Sequence, residues 1–529
     1  MACCRFLLPL AALVCVAAPA GAQSLPSPDE LAPDLGLTAL PSPETSAAIE
    51  SLPQIGFDAW MDKAASVRNW VVEEGDDPTT NNGESKSLPF AVPNSLIIQF
   101  TPHASAQAIE AYLEEKKLAV IQTFPNIGAV QVQADLSSYF TPLLSDTSTN
   151  DALLRGMLQA SRAFTADELV QSATPDFVLT DKNMDGADSY TNMLHPTEIV
   201  TRTANDVSEA ADWGIADIEA DQLWTLPGAG DGVVVGIMDA GFARHEDITF
   251  LRFPAASPGD NHGNHVAAIA CANHNDIGVE GVLPNCFVVA RSADVFFQSV
   301  DGNPQLRFMT LFSQILGTLS RFIEEDDQIT TYNISLGYNW RRNFNINPDL
   351  PEALQWRQLV EMQGTLLVSV LEVAQRNDKV IFSAAGNDSD GLAVPVSARY
   401  ASPFNWAAIT ARETGRAQNG FIVAAHGPDG ARASFSNSGA DISCPGTDIK
   451  SAVAYDAFSM PSRSTYGKMS GTSMASPYCA AAQVLFRLVR PGYSGIEAVE
   501  CMVRAGVPGT DGVPRLKLTR SIAACPERS

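Results

Sequence analysis

The sequence predicts an α/β fold: a parallel sheet with helices on both faces, preceded by a small α+β unit. Three observations carry that expectation. Short strand-like runs, the unbroken apolar 233–238 and the largely apolar 380–384 among them, alternate with longer stretches of helical spacing, as buried parallel strands joined by helical crossovers do. Between residues 95 and 180 the pattern reads strand, helix, strand, strand, helix, strand, a split β-α-β plan of the ferredoxin-like kind. The 529 residues suffice for roughly two or three domains with a sizeable core.

Residues 1–22 read as a signal peptide, with Arg5, an apolar stretch over 6–18 and the small residues Ala20, Gly21 and Ala22. They imply export to an extracellular or periplasmic space. No later run is long and apolar enough to span a membrane, so no membrane partner is expected of the mature chain. Residues 23–89 are rich in Pro, Ser, Ala and acids and read as a flexible leader. Within it 55–72 has an amphipathic helical pattern carrying Phe57, Trp60, Met61 and Trp70.

The texture changes at residue 90. Strands at 95–100, 118–124, 128–134 and 176–180, with helices at 104–117 and 152–172, make up the α+β unit, residues 90–182. An acidic linker, 183–212, follows. Its approach, Asp-x-Asn-x-Asp-Gly at 181–186, starts like a calcium loop, but Asn192 stands where the bidentate Glu belongs, so the stretch reads as solvated linker. The larger domain spans 213–529. Its expected strands are 233–238, 287–290, 331–336, 380–384 and 406–410, and its helices include 308–325 and 356–374. Residues 294–305 and 339–354 read as surface insertions.

Sixty acidic against 34 basic residues give a net charge of −26, which argues against nucleic acid or an anionic membrane as partner. Of nine cysteines, six lie beyond the signal peptide, and an even number in an exported chain implies disulfides. Cys271 and Cys286 flank one short loop, and Cys501 and Cys525 bracket the C-terminal segment. That leaves Cys444 and Cys479 as a third pair or as buried thiols. No Cys-x-x-Cys suggests zinc.

The chemistry concentrates in three places. Gly471-Thr472-Ser473-Met474-Ala475-Ser476-Pro477 leads into a long helical pattern. This puts Ser473 near a helix N-terminus, where a developing anion is favoured, with Pro477 expected in the first turn. A serine nucleophile needs a base, and the base an orienting carboxylate. Asp239 ends the apolar run 233–238, and His262 opens a short helical pattern. Gly-x-Ser-x-Gly, the setting of a lipase or esterase nucleophile, is missing around Ser473.

Asp239-Ala240-Gly241, His262-Gly263-Asn264-His265-Val266-Ala267 and Gly471 to Pro477, in that order, resemble the three active-site blocks of the subtilisin-like serine proteases. The resemblance implies a triad of Asp239, His262 and Ser473. It implies an oxyanion donor in Asn387, which closes Ser383-Ala384-Ala385-Gly386-Asn387, with the Ser473 N–H as second donor. Ser335-Leu336-Gly337 matches the strand that pairs with an extended peptide. Ala384, Ala385 and Gly386 match the opposite wall of the primary pocket, small enough to admit apolar side chains. Catalysis of this kind needs no cofactor. A structural Ca²⁺ is implied at Asp247, the Asn275 side chain and the Ile277 and Val279 carbonyls, oxygen ligands of the kind calcium takes.

The α+β unit resembles the prodomain of secreted members. The whole therefore implies a secreted serine endopeptidase made as a zymogen, with polypeptide substrates, its own prodomain as inhibitor and autocatalytic cleavage between about residues 177 and 212. Three residues depart from the family pattern. Ala240 stands where a hydroxyl is usual, costing Asp239 a hydrogen bond, Asn264 replaces Thr, and Ala268 replaces Gly.

Overall fold

Strands rich in Val, Ile and Phe set the larger sheet. The computed structural model describes residues 40–57, 59–60, 91–140, 149–183, 200–201, 213–254, 262–292, 294–298, 306–325, 328–341, 345–453 and 465–528. The expected signal peptide, and most of the linker and of the 55–72 helix, lie outside them. The N-terminal part contains α1 (Pro43–Glu50), β1 (Ala91–Phe100), α2 (Ala106–Glu115), β2 (Ala119–Phe124), β3 (Ala129–Gln133), α3 (Thr149–Thr165) and β4 (Val170–Asn183). The larger domain runs α4 (Trp213–Ile218), β5 (Val233–Asp239), β6 (Phe250–Arg252), α5 (His262–Cys271), β7 (Cys286–Ser292), β8 (Asp294–Gln298), β9 (Leu306–Leu311), α6 (Phe312–Glu325) and β10 (Ile329–Ile334). It continues with α7 (Leu354–Arg376), β11 (Val380–Ala384), α8 (Pro403–Glu413), β12 (Gly420–His426), β13 (Ile442–Pro445), β14 (Ile449–Val453), β15 (Thr465–Met469), α9 (Thr472–Val489), α10 (Gly495–Ala505) and α11 (Leu518–Ala524).

The core sheet has the order β13-β12-β11-β10-β5-β7-β6, all parallel, with two two-residue strands beyond β13. Its central strands are covered on both faces: β11 and β12 are buried at every position. The expected parallel sheet is therefore the observed one. Helices α5 and α9 pack against each other, and α9 lies across β10 to β13. Disulfides join Cys271 to Cys286, Cys444 to Cys479 and Cys501 to Cys525, with Cα separations of 5.1, 6.1 and 6.4 Å.

The smaller sheet has the order β2-β3-β1-β4, and it does not stop there. The hairpin β8–β9 of the larger domain extends it, with β9 antiparallel to β4 from Leu311↔Val178 to Arg307↔Asn183. The sheet also rests on α6 and α7. Phe177 meets Trp356 edge-on at 6.3 Å, Gln99 Nε2 donates to Ser369 Oγ at 3.1 Å, and the Ser313 N–H donates to Asp176 Oδ1 at 3.0 Å.

Four expectations need correction. The helix expected at 308–325 begins only at Phe312, because residues 306–311 pair as a strand on both edges, and tertiary pairing overrides local spacing. The strand expected at 406–410 lies inside α8: Ser402 accepts the Asn405 N–H as N-cap and Pro403 occupies the first turn. An apolar run this short has no period of its own to separate helix from strand. The helix expected over 152–172 ends at Thr165, whose hydroxyl donates to Ser161 O and accepts the Ala173 N–H of β4. Residues 40–57 are not a flexible leader: α1 is capped by Ser42, opened by Pro43 and packed on α2 and β2.

Candidate active site

Asp239 is the last residue of β5, at the C-terminal edge of the sheet, where open α/β folds place their sites. It is fully buried. The turn after it is laced to the first turn of α5: Gly263 N–H donates to Ala240 O at 2.7 Å and Asn264 N–H to Gly241 O at 3.3 Å. Asn264 Oδ1 in turn accepts the Ala243 N–H. Gly263 must be glycine, since a Cβ there would fall 2.8 Å from Ala240 O. This lacing delivers His262, the first residue of α5, to the carboxylate, with Nδ1 2.6 Å from Asp239 Oδ1. The Ala240 main-chain N–H, which any residue at that position would offer, donates to the same Oδ1 at 2.7 Å. The neighbouring His265 is different. Burial pushes it down to about 3, and Nε2 lies 2.9 Å from Ile449 O, so a neutral ring donates there and ties α5 to β14.

Ser473 is the second residue of α9, in the first turn as expected. Pro477 is not: it lies one turn further in. A proline there leaves the carbonyl four residues back without its helical partner. That carbonyl belongs to Ser473, and it accepts the Ser335 hydroxyl at 3.1 Å. Asn333 Nδ2 donates to Ser335 Oγ at 3.0 Å, so its orientation is fixed from β10.

Asn387 follows β11. Its Oδ1 accepts both the Thr472 N–H (2.9 Å) and the Thr472 hydroxyl (3.0 Å), while Gly386 N–H donates to Thr472 Oγ1 at 3.1 Å. With Oδ1 taken, the polar group Asn387 has left to offer is the donor Nδ2. Thr472 was missed by sequence reasoning, although a hydroxyl residue directly before Ser473, the candidate nucleophile, was the available signal.

β10 and β11 are neighbours, so Ser335-Leu336-Gly337 and Ala384 to Gly386 leave the sheet side by side. Leu336, Gly337 and Gly386 are half-buried, whereas Ala385 is fully buried and offers no surface. Ala401 sits between the walls: a Cβ on Gly386, whose φ is +98°, would fall 2.7 Å from Ala401 Cβ, and one on Gly337 3.0 Å from Ala401 O. No motif pointed to Ala401.

Of the calcium candidates, Asp247 Oδ2 accepts the Val279 N–H and the Tyr466 hydroxyl, each at 3.2 Å. Oδ1 is buried without a hydrogen-bond partner among the described residues, and burial pushes the carboxyl up to about 7. Asn275 Oδ1 accepts the Ile277 N–H. An orphaned carboxylate oxygen beside a loop of side-chain and carbonyl oxygens is a donor set that fits a hard cation.

A model described as Subtilase family matches residues 230–514, more than half of the chain. The chain belongs to the subtilase family. Subtilisin BL of Lederbergia lenta is 26% identical over 55% of this subtilase and 89% of its own length. An alkaline protease of Alkalihalobacillus alcalophilus is 28% identical over 55% of this chain and 63% of its own. Among solved structures, fervidolysin from Fervidobacterium pennivorans, described as a keratinolytic enzyme related to subtilisin, matches with TM-score 0.52 and 16% identity over 84% of this chain and 63% of that one, a likeness of fold. The subtilase is thus a subtilisin-like serine peptidase, which hydrolyses peptide bonds in polypeptides. No helix among its described residues is long and apolar enough to cross a membrane.

Proposed function

We propose that this subtilase is a secreted endopeptidase made as a zymogen, acting through Ser473, His262 and Asp239. The observation that carries the reading is the buried Asp239–His262 pair at 2.6 Å, on a helix packed against the one that bears Ser473. Asp239 holds the imidazole with Nδ1 protonated, leaving Nε2 to take the proton of Ser473 Oγ as the oxygen attacks the peptide carbonyl. The carbonyl oxygen becomes an anion, stabilised by Asn387 Nδ2 and the Ser473 N–H at the positive end of α9. His262 then protonates the leaving amine, and an acyl-enzyme forms on Ser473. Water, deprotonated by His262, releases the acid and restores the hydroxyl.

Residues 90–182 act as the inhibitory prodomain. β4 adds to β9 as an extended peptide adds to a sheet edge. The hairpin carrying β9 starts two residues after Ser292, the register partner of Asp239. The chain beyond Asn183 is then the processing segment, cut by the enzyme itself. A calcium ion held by Asp247, Asn275, Ile277 and Val279 would supply charge balance and loop rigidity, with no part in the chemistry. Mass spectrometry on wild type and Ser473→Ala tests the reading: two fragments from the first and an intact, inactive precursor from the second are expected. Identical cleavage in both would refute self-processing, and peptidase activity in Ser473→Ala would refute the nucleophile.

A further inference from the structure

We propose that residues 40–57 are a clasp that holds the prodomain in its inhibitory form, so that latency depends on the leader as well as on the prodomain. This rests on the reading of residues 90–182 as an inhibitor.

The segment is built into the unit it precedes. Thr45 is fully buried, and its hydroxyl lies 2.8 Å from Pro102 O and 3.0 Å from Ala104 O, where it donates to the loop before α2. Ser42 N–H donates to Pro102 O at 2.8 Å. Ile49 is fully buried and Leu52 nearly so. Further on, the Ile55 and Gly56 N–H groups donate to Val120 O and Ile121 O at 2.9 and 3.0 Å. These acceptors belong to β2, the outermost strand of the six-stranded sheet, so the leader covers an edge that would otherwise be open to pairing.

The clasp also reaches the part of the prodomain that grips the enzyme. α1 packs on the 3₁₀ turn Pro125–Ile127, and Pro41 lies against Gly128, where a Cβ would fall 3.2 Å from Pro41 Cβ. The same turn packs on α7, and Asn126 Nδ2 donates to Ser320 O of α6 at 3.3 Å. The leader therefore stands one layer behind the contact turn. An inhibitor binds in proportion to the fraction of its molecules in the competent form, and a prodomain without its clasp spends less time in that form. Cutting or losing the leader would release activity without any change in the catalytic domain.

The test uses the full chain. In a Ser473→Ala background, amide exchange is followed in β2 and β3 with and without Ile49→Asp, and with the milder Thr45→Val, which keeps the shape and loses the hydroxyl. In the active background the same variants are followed for the lag before peptidase activity appears. We expect both to lose protection in β2 and β3 and to shorten the lag, about tenfold or more for Ile49→Asp and several-fold for Thr45→Val. Specific activity after complete prodomain removal should be unchanged. Unaltered protection and an unaltered lag in Thr45→Val, and in Ile49→Asp if it folds, would overturn the clasp. A wild type with no lag would sink the prodomain reading instead, and the exchange pattern would then decide alone whether residues 40–57 hold the unit together.

Discussion

On the reading of residues 90–182 as an inhibitory prodomain, Asp176 should make its grip on the enzyme depend on pH. Its carboxyl is fully buried between the smaller sheet and α6, with Oδ1 on the Ser313 N–H and Oδ2 on Gln131 Nε2 at 2.9 Å. Desolvation by burial is the larger effect, and it raises the group from 3.8 to about 6 although those hydrogen bonds pull it down. Neutralising it is structurally feasible. Gln131 Oε1 accepts from Gln122 Nε2, and flipping both amides would let Gln131 accept from a protonated Asp176, a reversal the heavy atoms alone do not distinguish. Tyr338 is the titratable neighbour from the catalytic domain, and burial holds its hydroxyl protonated. Once the prodomain leaves, water returns the carboxyl to its ordinary value. The bound form thus takes up a proton that the free form lacks, so affinity is highest below about pH 4 and falls as pH rises to about 6. A difference of roughly two pKa units is worth about 3 kcal/mol, or about a hundredfold in the limit and about tenfold between pH 5 and pH 8. The processed complex should be titrated across this range by size exclusion or by the fluorescence of Trp356, which Phe177 contacts, with Asp176→Asn as the comparison. Wild-type affinity that is flat from pH 5 to 8, or an Asp176→Asn variant whose affinity follows pH as steeply as wild type, would refute the reasoning.

Asn387→Ala should lower kcat about 10²–10³-fold, as loss of one oxyanion donor does elsewhere. Thr472→Val, which removes a hydroxyl from Asn387 Oδ1, should lower it by about tenfold with KM little changed; full activity in Thr472→Val would separate that hydroxyl from catalysis. Gly317 faces the prodomain, and a Cβ there would stand 3.1 Å from the Phe124 ring, so Gly317→Val should weaken prodomain inhibition while leaving the freed enzyme's kcat/KM intact; inhibition assays read both. Chelation, or Asp247→Ala, should lower the Tm of the processed enzyme, and calcium should restore it only in wild type; an unmoved Tm would remove the metal from the site.

How much was legible in the sequence follows from what each signal depends on. The parallel strands were visible because strands covered on both faces are largely apolar, as β5 is up to Asp239. Asp239, His262 and Ser473 were visible because their motifs are contiguous. Thr472 and Ser335 carry their roles through hydrogen bonds to residues about 85 and 138 positions away, and no local pattern reports such a partner. β9 reads as helix because its pairing partners lie in other segments. The leader reads as disordered from composition, although Ser42-Pro43 is a helix start and Ile49 and Leu52 supply the face that packs. Composition averages over a segment, whereas docking needs only a few well-placed side chains.

Pro477 has a consequence that reaches beyond the helix it interrupts. On the proposed reading, the serine carrying the attacking oxygen and the segment that receives the substrate are joined through one carbonyl, which the helix cannot use and Ser335 can. That hydrogen bond couples the two segments directly. A peptide settling against residues 335–337, as proposed, would bear on the Ser473 backbone through that carbonyl, whichever side chains it carries. On that reading, alignment of the reacting atoms would be tied to the common feature of every substrate, its main chain, and choice among sequences would fall to the side-chain contacts beside it.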